Sequence, residues 1–488
     1  MSKGKTMARG ATVGGLKVAC CVLASCALLV AGCALPGVPA PPAPAMPADW
    51  AALRAPEVAS AVEASRAGLG DAGAPWADPV LQALLARAQA ANRDLRLSAQ
   101  RLSLAEDDAR LAGLSLAPQL GLDLSASTGR ALQGPATALG WSRSDGAALS
   151  ASWTPDLWGQ LRGQADQAGQ SAAMAADDVR ALRWDLQARV AEQYWTIARL
   201  QSGRERLLVD ERAAADTLAA QRLKLDEGTL RLADLDVAVA DARALALQRQ
   251  ANALALETAR RTLAALVDAP PQDFALPQAR LPRERVALPG AGAPMQVLDS
   301  RPDVHRARLA LDQALLGQRI AQVNRYPTLT LSPGIATGGA GWRHLLDDPG
   351  LTLGVSLALP FVDWRARGIA QWQAGTRAAM AAVQFRDALW LALADVAQRQ
   401  EDFALSLATL ADAQGQVAEA ARALANAEAR LAAGVAAPQE LRDARRAERA
   451  ARNREDDAWR AHAVAWVAMR RALGGDVAVQ GDDYHPRS

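Results

Sequence analysis

The stretch Leu351-Thr-Leu-Gly-Val-Ser-Leu-Ala-Leu-Pro360 sets Leu351, Leu353, Val355, Leu357 and Leu359 against Thr352, Gly354, Ser356 and Ala358. A period of two belongs to a β-strand, and here one face is wholly apolar while the other is small or polar. Such a strand separates two different environments. About 205 residues earlier the pattern recurs, with Leu149, Ala151 and Trp153 alternating with Ser150, Ser152 and Thr154 before Pro155. Each strand has an upstream partner opened by a proline. Pro118 precedes Leu120, Leu122, Leu124 and Ala126, set against Gly121, Asp123 and Ser125; Pro327 precedes Leu329, Leu331 and Ile335, set against Thr328 and Thr330. Two β-hairpins are thus embedded in an otherwise helical chain.

Strands of about nine residues cross a bilayer when tilted. In lipid every strand edge must be paired, so only a closed barrel is allowed, and four strands are too few to close one. Spanning strands therefore require several copies of the chain: a dimer gives eight strands with a filled bore, a trimer twelve with room for an opening. The small, polar inward set suits a wetted lumen. Trp141, Trp153, Trp158, Trp342 and Trp364 stand near strand ends, where an interfacial aromatic girdle belongs. The competing reading is a soluble four-stranded sheet capped by helices, with these tryptophans in its core.

Residues 1–32 have the layout of a secretory signal: Lys3, Lys5, Arg9 and Lys17, then an apolar run from Val18 to Val30. Leu29-Val30-Ala31-Gly32-Cys33 resembles the bacterial lipobox, which implies cleavage before Cys33 and its modification with S-diacylglycerol and an N-acyl chain, an anchor in membrane lipid. Ala34 follows, where aspartate often retains lipoproteins in the inner membrane, so the outer membrane is the expected destination. Residues 33–75 are the anchor and a proline-rich tether.

A first repeat is expected over 76–270. Asp78-Pro79 starts a helical block with apolar positions to Leu114, the first hairpin follows with a loop from Thr128 to Gly146, and helical spacing then runs without proline from about Asp156 to Leu225. Gly228 punctuates it, and a helix returns to Val267. Residues 271–300, with Pro270, Pro271, Pro277, Pro282 and Pro289 in or beside them, form an irregular crossing segment. The second repeat, 301–474, opens at Arg301-Pro302-Asp303 and carries the second hairpin with a loop over 337–350. Its long helix has a coiled-coil seam of Leu389, Leu393, Val396, Phe403, Leu407 and Leu410; Gly434 breaks it, and a last helix ends near Leu473. A tail fills 475–488. Pro155 matches Pro360, Val190 matches Val396, and Lys224-Leu225-x-x-Gly228 matches Arg430-Leu431-x-x-Gly434, at offsets of 205 and 206. The chain is a duplication.

Several function classes are disfavoured. The net charge of +2 falls to −2 without residues 1–32, which hold four basic groups and no acid, so nothing suggests a nucleic-acid partner. All four cysteines lie within the first 33 residues, and His305, His344, His462 and His485 have no ligand spacing, so no metal site is expected. No nucleophile–base set, phosphate loop or carboxylate pair suggests an enzyme. No cofactor is expected beyond the covalent lipid on Cys33.

In order along the chain stand Trp76-x-Asp78-Pro79 with Leu84-Leu85, Asn92-x-Asp94-Leu95, Trp153-x-x-Asp156-Leu157-Trp158-Gly159, Arg301-Pro302-Asp303-Val304, Tyr326-Pro327 and Leu357-x-x-Pro360-Phe361, besides the paired turns. From Cys33 to about Leu473 the chain resembles the TolC-like outer membrane factors, most closely the lipidated OprM/NodT branch serving resistance-nodulation-division (RND) efflux pumps. The resemblance implies an α+β membrane protein with a two-fold internal repeat. It also implies a homotrimer with a twelve-stranded outer membrane β-barrel, four strands per chain, continued by a coiled-coil α-helical tunnel in the periplasm. The expected partners are a periplasmic adaptor (membrane fusion protein), an RND-type inner membrane pump and outer membrane lipid. Val362-Asp363-Trp364-Arg365 departs from the family's small turn, and the tip turns carry Leu where an aromatic is usual.

Leu441-Arg442-Asp443-Ala444-Arg445-Arg446 is similar to the family's helix just inside the tunnel tip, whose aspartate rings the constriction. The resemblance makes Asp443 the first gate candidate, with Asp234 and Asp236 in the duplicate stretch. The alternative is a solvated helix face with i,i+3 and i,i+4 pairs. Gly228 and Gly434 are the expected tip turns, and Pro155 and Pro360 the strand-to-helix corners. The expected function is a passive exit duct for small toxic compounds. A type I protein secretion channel and a non-spanning coiled-coil lipoprotein are the alternatives.

Overall fold

A computed structural model describes residues 77–130, 141–229, 231–276, 278–286, 294–339 and 348–474. Cys33, Trp76 and Trp342 lie outside these. The elements run α1 (Pro79–Ala91), α2 (Arg93–Leu114), β1 (Gln119–Arg130), β2 (Trp141–Ser152), α3 (Gln160–Asp226), α4 (Leu232–Leu266), α5 (Pro294–Ser300), α6 (Pro302–Val323), β3 (Thr328–Gly339) and β4 (Gly350–Ala358). A 3-10 turn at Pro360–Asp363 then leads into α7 (Trp364–Ala432) and α8 (Pro438–Ala472). The order helix, hairpin, long helix, returning helix occurs twice. None of the described helices is long and apolar enough to cross a membrane.

The described chain divides into two compact units. The first, Asp107–Gln170 with Leu311–Ala382, holds one antiparallel sheet in the order β1-β2-β3-β4. Its register places Leu122, Leu149, Ile335 and Leu351 side by side, and on the opposite face Gly121, Ser150, Gly334 and Thr352. The leucine face is bare: Leu120, Leu353 and Val355 are 77%, 75% and 63% exposed. The strands are longer than expected. Residues 128–130 and 141–146, read as loop, pair fully, and β3 continues to Gly339. Small residues permit this, since a Cβ on Gly146 would stand 2.9 Å from Ser125 Oγ and one on Gly338 3.3 Å from Asp145 O.

The second unit spans Ser171–Ala310 and Val383 onward, with the residues leading up to Glu106. Its core gathers Leu81, Leu85, Val190, Tyr194, Trp195, Ile197, Leu263, Leu393, Val396, Phe403 and Met469 from α1, α3, α4, α7 and α8. The seam is buried as its spacing requires, with Val396, Phe403 and Leu410 at 0% exposure. The first helical block is two helices rather than one. Asn92 leaves helical geometry at ψ 130°, its Oδ1 accepts from Leu95 N at 3.1 Å, and its Nδ2 donates to Leu266 O at 3.0 Å. The motif Asn92-x-Asp94-Leu95 is thus a helix cap that also ties α2 to the end of α4.

Among the described residues of the connection, 271–300, only α5 at 294–300 is a regular element, and residues 278–286 are docked by side chains of the long helices. Gln201 Oε1 accepts from Ala279 N at 2.9 Å, and the Tyr194 hydroxyl accepts from Arg280 N at 3.2 Å while donating to Asp78 Oδ2 at 2.5 Å. Burial and Asp78 push the Tyr194 hydroxyl far above the ordinary tyrosine range. Asp456, 1% exposed on α8, accepts from both Arg206 of α3 and Arg283 of the connection. Arg301, 11% exposed, joins Asp303, Asp395 and Ala472 O. Burial works against both Arg301 and Asp303. Their mutual hydrogen bonds and charges outweigh it, raising the guanidinium above and holding the carboxyl below its usual range.

Candidate gate and strand-to-helix corners

The two corners are built differently. At the first, Trp153 pairs with Leu331 by a single bridge, its N–H donating to Leu331 O at 2.9 Å. After Pro155, both carboxylate oxygens of Asp156 cap α3, accepting from Leu161 N and Arg162 N at 3.1 and 2.9 Å. Gly159 supplies the positive φ of 77° that turns the chain between cap and helix. Trp158 is not part of an exposed girdle: its Nε1 donates to Pro327 O at 2.8 Å, and its ring stacks on Tyr326 with centroids 4.8 Å apart. Trp141 and Trp364 are 72% and 67% exposed, as an interfacial role requires. The second corner is the tight 3-10 turn Pro360–Asp363, with Val362 89% exposed and the Arg365 guanidinium 5.5 Å over the Trp364 ring.

The tip turns are duplicates in detail. Gly228 and Gly434 take φ of 69° and 70°. Gly228 N donates to Leu225 O and Thr229 N to Lys224 O; Gly434 N donates to Leu431 O and Val435 N to Arg430 O. Both are glycine-terminated helix ends in which two amides satisfy the last carbonyls. The shared basic-Leu-x-x-Gly sequence encodes this geometry.

Beyond the turns the carboxylates sort into two groups. Asp443 is exposed and accepts from Gln439 Nε2 at 3.3 Å on its own helix, and Asp234 pairs with Arg231 at 3.3 Å, three residues away. Asp236 is exposed. The links between the two helical hairpins nearest the turns come instead from Asp241 and Asp210, which the sequence pattern does not single out. Asp241 on α4 accepts from Arg446 on α8 at 2.9 Å and lies 3.7 Å from Arg442 Nε. Asp210 on α3 pairs with Arg449 on α8, whose guanidinium is pulled below the ordinary arginine range by burial. These partners are remote in sequence, so only the packing of α8 on α3 and α4 exposes them. The arrangement can hold two hairpins together electrostatically. Among the described residues no group of three or more histidine, cysteine or acidic side chains is placed to hold a metal.

The family described as outer membrane efflux protein matches residues 84–269 and 293–475. The pyoverdine export outer membrane protein OpmQ of Pseudomonas aeruginosa is 29% identical over 309 residues, 58% of this chain and 61% of its own. The fusaric acid resistance protein FusA of Burkholderia cepacia is 29% identical over 361 residues, 69% of this chain and 65% of its own. The chain thus spans less than two thirds of the length of these two relatives. The crystal structure of CusC superposes with a TM-score of 0.75 at 22% identity, covering 90% of this chain and 99% of that one. That likeness fixes the fold, and the family match covers well over half of the 488 residues. The chain belongs to the outer membrane efflux protein family.

Proposed function

We propose that the chain is the outer membrane exit duct of a tripartite efflux system, passive itself and supplied by an inner membrane pump through a periplasmic adaptor. The observation that carries this reading is the sheet: four long antiparallel strands, bare leucines on one face, small polar residues on the other, and β1 and β4 each with one edge unpaired among the described residues. Long unpaired edges invite pairing with another chain. Three copies joined edge to edge make twelve strands, a number that closes and leaves a bore. An exposed apolar stripe on the first part of α7, with Ile369, Trp372 and Met380 at 59%, 71% and 57%, fits the same homotrimer.

In this reading Cys33 carries the lipid anchor in the outer membrane and the hairpin tips at Gly228 and Gly434 face the periplasm. The two repeats, 76–270 and 301–474, are equivalent wall segments joined by the connection at 271–300. Asp443, Asp234 and Asp236 ring the closed end, and the Asp241 and Asp210 pairs hold it shut. OpmQ and FusA are named for pyoverdine export and fusaric acid resistance, which supports small organic compounds as cargo. The test is the susceptibility profile of a deletion strain, with complementation. Gained sensitivity to several unrelated amphiphiles, restored by the gene, supports the reading; an unchanged profile with a protein missing from the culture medium contradicts it.

A further inference from the structure

Between α3, α4 and α8, eight residues beyond the Gly434 turn, lies a cavity of about 300 Å³ lined by Asp210, Asp241, Arg442, Arg445, Arg446 and Arg449. Four guanidiniums face two carboxylates. Glu428, 3.7 Å from Arg445, is a third acid nearby, which still leaves one positive charge unmatched. The shortfall falls on Arg442. Asp241 Oδ1 is taken by Arg446, while Arg442 Nε stands 3.7 Å from Asp241 Oδ2, beyond hydrogen-bonding range. Arg442 Nε and Nη1 are buried without a hydrogen-bond partner, and so is Asp241 Oδ2. The Nη2 group alone is used, on Gln439 of the same helix.

Unpartnered charged donors in a cavity are costly, and water relieves the hydrogen bonds but not the charge. Each unpartnered guanidinium N–H can donate a charge-assisted hydrogen bond to an oxygen of an anion. We propose that this cavity is an oxyanion site, taking a carboxylate or phosphate group on Arg442 and Arg446. An occupant competes with Asp241 for both arginines, so binding releases the α4–α8 link. The release rests on the reading of these pairs as a gate; the binding does not.

The full chain in detergent is titrated calorimetrically with inorganic phosphate and with citrate at fixed ionic strength. Binding is expected to weaken at least about tenfold in Arg442→Gln, for a lost charge-assisted contact. It tightens in Asp241→Asn, which removes the competitor, and is unchanged in Arg422→Gln, an arginine on α7 outside the cavity. The Asp241→Asn arm keeps the test decisive if Arg442→Gln folds poorly. A glutamate-rich helical peptide is the second probe. Its binding with the same dependence on Arg442, where the free ions fail, assigns the site to a carboxylate of a docking protein. No binding by any probe, or binding indifferent to both variants, overturns the site. Binding that leaves bilayer conductance unchanged overturns the release alone, and none of these results depends on whether the chain exports drugs.

Discussion

Trp158 and Tyr326 stack at 4.8 Å and 25°, joining the corner after β2 to the residues that lead into β3, 168 positions apart. One ring pair, with the indole hydrogen bond to Pro327 O, thereby couples the two repeats beside the sheet. Trp158→Ala is expected to cost about 3 kcal/mol, from lost packing and an unpaired carbonyl. Trp158→Phe, which keeps the ring, should cost about 1 kcal/mol. Thermal unfolding of the purified protein in detergent, followed by circular dichroism, measures both.

Asp456 anchors the connection at residues 278–286. Its carboxylate is 1% exposed and serves Arg206 and Arg283, which come from different parts of the chain. Removing it strands two guanidiniums, so Asp456→Ala should destabilise by about 3–5 kcal/mol. Proteolysis in the segment 278–286 should accelerate in parallel. Wild-type cleavage rates in that segment would contradict the anchoring.

His462, 1% exposed, packs tilted against Phe403 with centroids 5.0 Å apart and has Ser406 Oγ 3.0 Å from its Nδ1. Ser406 donates its hydrogen to Phe403 O, so the imidazole donates from Nδ1. Its Nε2 is then left to accept from Val286 N, at a long 3.5 Å. Burial, with Arg285 nearby, pushes its pKa down from 6.5 to about 4. The unfolded chain therefore binds this proton more readily. The neutral form contributes fully above pH 6.5, and that contribution, on the order of 3 kcal/mol, is lost as pH falls toward 4. Asp303, held below its ordinary value of 3.8, acts only at more acid pH. Denaturant midpoints between pH 7.5 and 4.5 should fall in the wild type and flatten in His462→Gln.

The gate reading separates two classes of aspartate. Asp241→Ala removes a link between hairpins and should raise single-channel conductance at a stability cost of about 1 kcal/mol. Asp443→Ala leaves the links intact and should lower cation selectivity with little change in stability. Planar-bilayer recordings of both variants check this. Unchanged selectivity and conductance in Asp443→Ala would remove that residue from the gate.

What was legible in the sequence follows the range of the interactions that encode it. The tip glycines, the Asp78 cap (its Oδ1 accepts from Val80 N at 2.9 Å) and the apolar rows of β1 and β4 depend on residues within a few positions, and the structure has them where the pattern places them. The turn propensity of Ser, Gly and Thr makes the strands look short in the sequence, whereas here the small size of these residues lets neighbouring strands approach. Asn92 broke a helix that its apolar spacing continued. Asp241, Asp210 and Asp456 are indistinguishable in the sequence from solvated helix charges, because their arginines are 173 to 250 residues away. The docking of residues 278–286 on Tyr194, Gln201 and His462 had no local signal at all.

In the proposed trimer, β1 of one chain pairs with β4 of the next to close a shared barrel. Paired cysteine substitutions scanned along β1 and β4, in a chain whose native cysteines all lie in the first 33 residues, test it by oxidative cross-linking in outer membranes. The account predicts a non-reducing ladder that stops at three chains, strongest at one register and at positions two residues from it. Cross-links confined to single chains, or a ladder that runs on past three, would contradict it.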